Sequence, residues 1–121
     1  MTAEILTKTD NDNIVLLVEI KNVEELQISA IECIIADNIY TTVFFNDGKL
    51  LQIRHSLNEW ESFLPQSSFI RINRWTIVNL DHVKSIEKSF DQSMVIFMKT
   101  FNKPLIMSKS YTNKLREQQI I

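Results

Sequence analysis

Asn73 and Arg74 place a carboxamide and a guanidinium side by side on a short polar step between two apolar, strand-like pieces, Phe69–Ile72 and Thr76–Val78. An amide can donate to and accept from a base edge, and a guanidinium can grip a phosphate or a guanine. The same pair would also serve as a plain solvated turn between two core strands. Two further polar stretches offer similar groups. Ala36–Asn38 follows a strand-like run. Ser108–Ser110 opens a predicted helix, where free backbone N–H groups favour an anion such as phosphate, and Lys109 and Lys114 add positive charge. Caps and turns account for each stretch alone; together they suggest a nucleic-acid contact made by loops.

The residue types needed for catalysis are sparse. His55 and His82 are the only histidines and Cys33 the only thiol, without His-x-x-x-His or Cys-x-x-Cys spacing, so no zinc site is expected. Asp81 and His82 are sequence neighbours, which makes no dyad; a helix-cap role for Asp81 and a surface role for His82 fit better. Cys33 lies in the apolar run Ile31–Ile35 and reads as a buried structural thiol. The single glycine, Gly48, excludes every glycine-rich phosphate loop. No enzyme, cofactor or small-molecule substrate is expected.

The 121 residues fit one domain able to bury a core without disulfides. With 45% apolar and 23% charged residues, disorder is not expected. No basic n-region opens the chain and no apolar run approaches a membrane span, so the sequence reads as soluble and cytoplasmic, with no membrane insertion. The net charge of −2 hides an asymmetry. Residues 1–69 carry four Lys/Arg against eleven Asp/Glu, and residues 70–121 carry nine against four. Halves of opposite sign suggest one surface that attracts phosphate and another that does not, provided that the halves map to separate faces.

The elements that must position these groups are mostly short strands. Residues 1–12 read as a flexible tail and 13–121 as the domain. Residues 13–21 read as a strand, 22–26 as a brief helical turn capped by Asn22, and 27–35 as a second strand. The run 39–45 is rich in β-branched and aromatic residues, and Asp47-Gly48 predicts a type I′ hairpin to 50–54. Ser56 with Glu59 fits a capping box opening a helix whose Leu57, Trp60, Phe63 and Leu64 share one face, stopped at Pro65. Two strands, 83–90 and 94–98, flank a turn at 91–93. A short strand at 104–107 is an edge candidate because of Pro104. A last helix spans 108–119, with Tyr111, Leu115 and Gln118 along one side. The fold class is mostly β with minor α.

Phe69-Ile70-Arg71-Ile72-Asn73-Arg74-Trp75-Thr76-Ile77-Val78-Asn79 resembles the LytTR-type DNA-binding domain, which shows Phe-x-Arg-x-His-Arg-Ser-x-x-Val-Asn here. Ile31-Glu32-Cys33 with Tyr40, the Asp47-Gly48 turn, Ser56-Leu57 with Phe63-Leu64-Pro65, and Met107-Ser108-Lys109-Ser110-Tyr111 follow the family's order and spacing from about residue 13 to 117. The resemblance implies an elongated arrangement of three small β-sheets, one amphipathic helix and a C-terminal helix. It implies a bacterial transcription regulator of the response-regulator, two-component type, with loops placed in successive grooves of double-stranded DNA. Two copies on a direct repeat, as a homodimer on DNA, are the usual arrangement.

By matched position the DNA-binding residues are Asn38, Asn73, Arg74, Lys109 and Ser110. The chain departs from the family pattern in Asn73-Arg74-Trp75, where a large ring replaces a small polar residue, and in Lys109, which keeps charge but not bidentate geometry. The alternative reading is a protein–protein interaction module on the same fold, using the acidic first half or an exposed edge strand.

Overall fold

The computed structural model describes residues 4–8, 14–19 and 23–117, with side chains described from Leu26 onward. Among the described residues, eleven strands form three sheets. β1 (Glu4–Lys8), β2 (Ile14–Glu19) and β3 (Val23–Gln27) make an antiparallel sheet with β2 in the middle. Two expectations are corrected here. Glu4–Lys8, inside the stretch expected as a flexible tail, is a strand, because β2 offers it a full ladder from Glu4 opposite Glu19 to Lys8 opposite Val15. Val23–Gln27 is a strand rather than a helical turn. A single isolated turn satisfies few backbone groups, whereas the ladder from Ile14–Gln27 to Val18–Val23 pairs them along the whole segment.

The expected second strand is interrupted. A 3-10 turn at Ile28–Ala30 carries the chain from the first sheet into β4 (Ile31–Asp37) and buries Ile28. β5 (Tyr40–Phe45) and β6 (Leu50–Ile53) follow, then α1 (Leu57–Phe63), β7 (Phe69–Asn73) and β8 (Thr76–Asn79). These strands form a five-stranded sheet in the order β6-β5-β4-β8-β7. The β5–β6 connection is not a type I′ turn. Within this connection Gly48 alone has positive φ (+86°), and its N–H reaches the Phe45 carbonyl, so glycine takes the left-handed position that ends a three-residue loop. The Asp47 carboxylate instead accepts the Lys49 N–H at 2.9 Å.

The capping box holds as expected: Ser56 Oγ accepts the Glu59 N–H while Glu59 accepts the Ser56 N–H. His55 donates to Glu59 at 2.6 Å, and this bond, together with the Ser56 N–H, holds the Glu59 carboxyl below its usual range. A 3-10 turn at Leu80–His82 leads into the third sheet. Its cap is Asn79, whose Oδ1 accepts the Asp81 N–H, and not Asp81. His82 donates to the Ser29 carbonyl at 2.6 Å. β9 (Val83–Lys88), β10 (Met94–Met98) and the edge strand β11 (Leu105–Met107) form that sheet, and α2 (Lys109–Glu117) closes the described chain. Thr112 and Leu115 are buried on α2 and Tyr111 is half-buried; Gln118 lies outside the described residues.

The core explains the pattern of the central strands. On one face of the five-stranded sheet, Ile31, Ile34, Val43, Ile53 and Ile77 pack with Leu57, Trp60 and Leu64 of the α1 segment. On the other face, Cys33, Ile70, Ile72 and Val78 pack with Ile96, Met98, Leu105 and Met107 of the third sheet and with Leu115 of α2. Neighbours such as Cys33 and Ile34, or Ile77 and Val78, therefore point into different cores, and these strands read as unbroken apolar runs because both faces are covered. Trp60 is fully buried and its indole N–H donates to Thr41 Oγ1 at 2.7 Å, which removes the cost of an orphaned donor.

Glu32 is also fully buried. Its Oε1 accepts the N–H groups of both Thr100 and Phe101 at 3.1 Å, fixing the segment between β10 and β11 against β4. Phe101 then meets Phe44 edge-on, with ring centroids 4.7 Å apart. Cys33 is buried among apolar neighbours. Burial, reinforced by the Glu32 charge, pushes its thiol up to about 12, so at neutral pH it is an unreactive core side chain.

Candidate nucleic-acid interface

The β7–β8 turn is held on three sides. Asn73 Oδ1 accepts the Trp75 N–H at 2.8 Å, closing the turn locally. Asn73 Nδ2 donates to the Ile106 carbonyl at 2.7 Å, and the Ser108 N–H donates to the Ile72 carbonyl at 3.1 Å, so the turn is stitched to the strand and junction that open α2. On the opposite side the Ala36 N–H donates to the Trp75 carbonyl at 2.8 Å, fastening the turn to the end of β4. From below, Arg71 donates to the Arg74 carbonyl at 2.7 Å while its other guanidinium nitrogen binds Asn58 and Glu61 at 2.7 and 2.9 Å.

These bonds bring the β4–β5 turn, the β7–β8 turn and the start of α2 into one neighbourhood. Asn38 sits at the tip of the first, exposed, with φ of 58°, a left-handed conformation that asparagine tolerates better than most residues. It shares a shallow depression of about 150 Å³ with Tyr40, Asn58, Arg71 and Arg74. Arg74 is exposed and its guanidinium lies over the Trp75 ring, 5.6 Å from the centroid. Lys109 and Ser110 are exposed on the first turn of α2, where Ser108 takes the N-cap position: its carbonyl accepts the Thr112 N–H and its hydroxyl lies 3.3 Å from that of Ser110. Among the described residues neither Arg74 nor Lys109 has an ion-pair partner.

The five residues singled out from the sequence thus lie on connected segments, but not in equivalent states. Asn38, Arg74, Lys109 and Ser110 face solvent. Asn73 is half-buried and spends one amide N–H and one lone pair on the fold. Sequence reasoning left open whether Trp75 fills the core or lies outside; it is 57% exposed. Two residues were missed as parts of the site. Tyr40 is exposed beside Arg74, a position set by pairing with Asp37 across the β4–β5 turn. Arg71, which lies in a strand pattern, acts as the bracket under the turn.

The family model of the LytTr DNA-binding domain matches residues 21–119, most of the chain. The chain belongs to the LytTR family. The family is one of DNA-binding domains. Sensory transduction protein LytR of Staphylococcus epidermidis is 36% identical over 63 residues, a stretch that covers 52% of this chain and 25% of that protein. A solved LytTr DNA-binding domain of a putative methyl-accepting/DNA response regulator from Bacillus cereus superposes with a TM-score of 0.73 at 24% identity, covering 98% of each chain. At that identity the likeness speaks for the fold: a mostly β LytTR domain with minor helix. No helix among the described residues is long and apolar enough to cross a membrane.

Proposed function

We propose that this LytTR domain reads a specific duplex sequence as the output domain of a response-regulator-type transcription regulator acting in the cytoplasm, two copies occupying a direct repeat. Arg74 is the central contact, reaching a base edge or phosphate. Lys109 and the Ser110 hydroxyl engage the backbone from the start of α2, and Asn38 does so from the β4–β5 turn. Asn73 contributes mainly by setting the turn, with its second amide N–H left for the duplex. The observation that carries this reading is the set of hydrogen bonds that lock the β7–β8 turn to both neighbouring segments while Arg74 and Lys109 stay exposed without acidic partners. A cation carried on so fixed a turn, as Arg74 is, loses less entropy on meeting a phosphate backbone.

Selection of bound duplexes from a random pool tests the proposal. Enrichment of a repeated motif, bound with an affinity that falls linearly in log salt, is the expected result. Failure to enrich any sequence, with no retardation at low salt, overturns it. One observation favours a second reading, a protein-docking role: Phe90 is fully exposed at the tip of the β9–β10 hairpin, and Ile106 is exposed on the edge strand β11. Capture of a partner protein that is lost in Phe90→Ser but retained in Arg74→Ala would support that role.

A further inference from the structure

The indole of Trp75 is an anomaly of placement. The fold already has a tryptophan in its core, Trp60, and Trp75 contributes no buried area comparable to it. Leaving an indole in water is a cost that core packing does not explain. Its backbone, by contrast, is fastened at both ends, the N–H by Asn73 Oδ1 and the carbonyl by the Ala36 N–H, each at 2.8 Å. A side chain on so restrained a backbone presents its ring in a narrow range of directions. The ring lies under the Arg74 guanidinium, and Arg74 lines a depression with Tyr40 and Asn38 that no carboxylate lines. The exposed ring therefore carries on its face a guanidinium that has no acidic partner among the described residues, which suits a polyanion carrying apolar groups better than a purely hydrophobic partner protein.

We propose that Trp75 is a specificity-determining residue, its indole packing in the major groove against the C5 methyl of a thymine next to the base or phosphate that Arg74 engages. The inference rests on the DNA-reading function above and deepens it. Thymine is the one base that offers an apolar group in the major groove, so an exposed ring beside a cationic reader selects for it. The ring has a second effect: by stacking on Arg74 it restricts that side chain to fewer rotamers before DNA arrives. Deleting the methyl from the DNA, with the protein intact, separates the two effects.

The experiment uses the duplex obtained by selection and replaces each thymine in turn by deoxyuridine, which removes only the methyl group. Wild type is expected to lose about four-fold in affinity at one thymine of each half-site, the scale set by burying a single methyl. In Trp75→Ser that position becomes insensitive to the replacement, and in Trp75→Phe it stays partly sensitive. Arg74→Ala weakens all duplexes but keeps the thymine effect. Because Trp75 is exposed, an unchanged urea midpoint and unchanged buried-Trp60 emission establish that Trp75→Ser is folded. The proposal is overturned if wild type binds the selected duplex yet no single methyl matters, or if the methyl effect persists undiminished in Trp75→Ser. If wild type binds no selected duplex at all, the DNA-reading function falls together with this inference, a result that the first two outcomes cannot produce.

Discussion

The Asn73 carboxamide spans two elements: its oxygen closes the β7–β8 turn on Trp75 and its nitrogen donates to the Ile106 carbonyl at 2.7 Å. Asn79, at the other end of β8, repeats the arrangement, with its oxygen on the Asp81 N–H and its nitrogen on the Ile31 carbonyl at 2.9 Å. In both, one amide caps a local turn and anchors it to a distant strand. A short residue with an acceptor and a donor on one planar group is suited to that double task.

Asn73→Ala should therefore loosen the turn as well as remove a contact. Two hydrogen bonds are lost, and the expected destabilisation is about 2 kcal/mol, at roughly 1 kcal/mol each. Urea unfolding measures it. Asn73→Asp keeps the acceptor for Trp75 and loses the donor to Ile106, so it should retain part of the stability. Equal midpoints for wild type and Asn73→Ala would contradict the role assigned to the amide.

Arg74→Ala should leave stability almost unchanged, since the side chain is exposed and, among the described residues, its guanidinium has no ion-pair partner and lies over the exposed Trp75 ring. Affinity for the selected duplex should fall by roughly 1–3 kcal/mol if the side chain reads a base or a desolvated phosphate. Lys109→Gln should weaken binding to all duplexes alike and lower the salt slope by about 1, as expected for one phosphate contact. Fluorescence anisotropy over a salt series separates the two behaviours; a Lys109→Gln slope equal to that of wild type would remove Lys109 from the interface.

Glu32 predicts a destabilisation far from the interface. Glu32→Ala leaves the Thr100 and Phe101 N–H groups without an acceptor in a covered position and opens a void. The expected loss is about 3 kcal/mol. Glu32→Gln keeps an amide oxygen for both donors and should cost less. A thermal melt of the three proteins orders them, and a Glu32→Gln variant no better than Glu32→Ala would show that charge, not acceptance, matters.

Cys33 predicts a pH dependence. Its thiol is pushed from an ordinary value of 9.0 up to about 12, chiefly by burial and then by the Glu32 charge. The unfolded thiol ionises first, so the unfolded state loses its proton at lower pH than the folded one. The stability linked to this group is fully present below pH 9.0 and is lost as pH rises toward about 12. Wild type and Cys33→Ala compared by urea unfolding should converge over that window. A thiol reagent should label wild type only under unfolding conditions, and rapid labelling of the native protein at neutral pH would refute the burial argument.

Much of this molecule was written locally. The helix α1 was legible from Ser56, Glu59 and the apolar face through Leu57 and Trp60, because a capping box and a 3.6-residue period need no distant partner. The hairpin at Gly48 was legible as a hairpin but not as a type, since the choice between a two-residue and a three-residue loop depends on the register of β5 against β6. The strand at Val23–Gln27 was missed because its residues suit a helix start, and only the presence of β2 beside it decides otherwise.

For the site, the sequence by itself determined which side chains were available: Asn73, Arg74, Lys109 and Ser110 on the basic half and Asn38 on the acidic half, in an order that matches the LytTR pattern. Tertiary structure alone decided which of them are free to act. Asn73 became a clamp because Ile106 arrives 33 residues later along the chain to accept its N–H. Trp75 stayed outside, 57% exposed at the β7–β8 turn, while the two cores on the faces of the sheet are built from other side chains. Local propensity carries no knowledge of which neighbour will occupy a face, so exposure and partnership follow from packing, whereas residue chemistry and turn grammar do not.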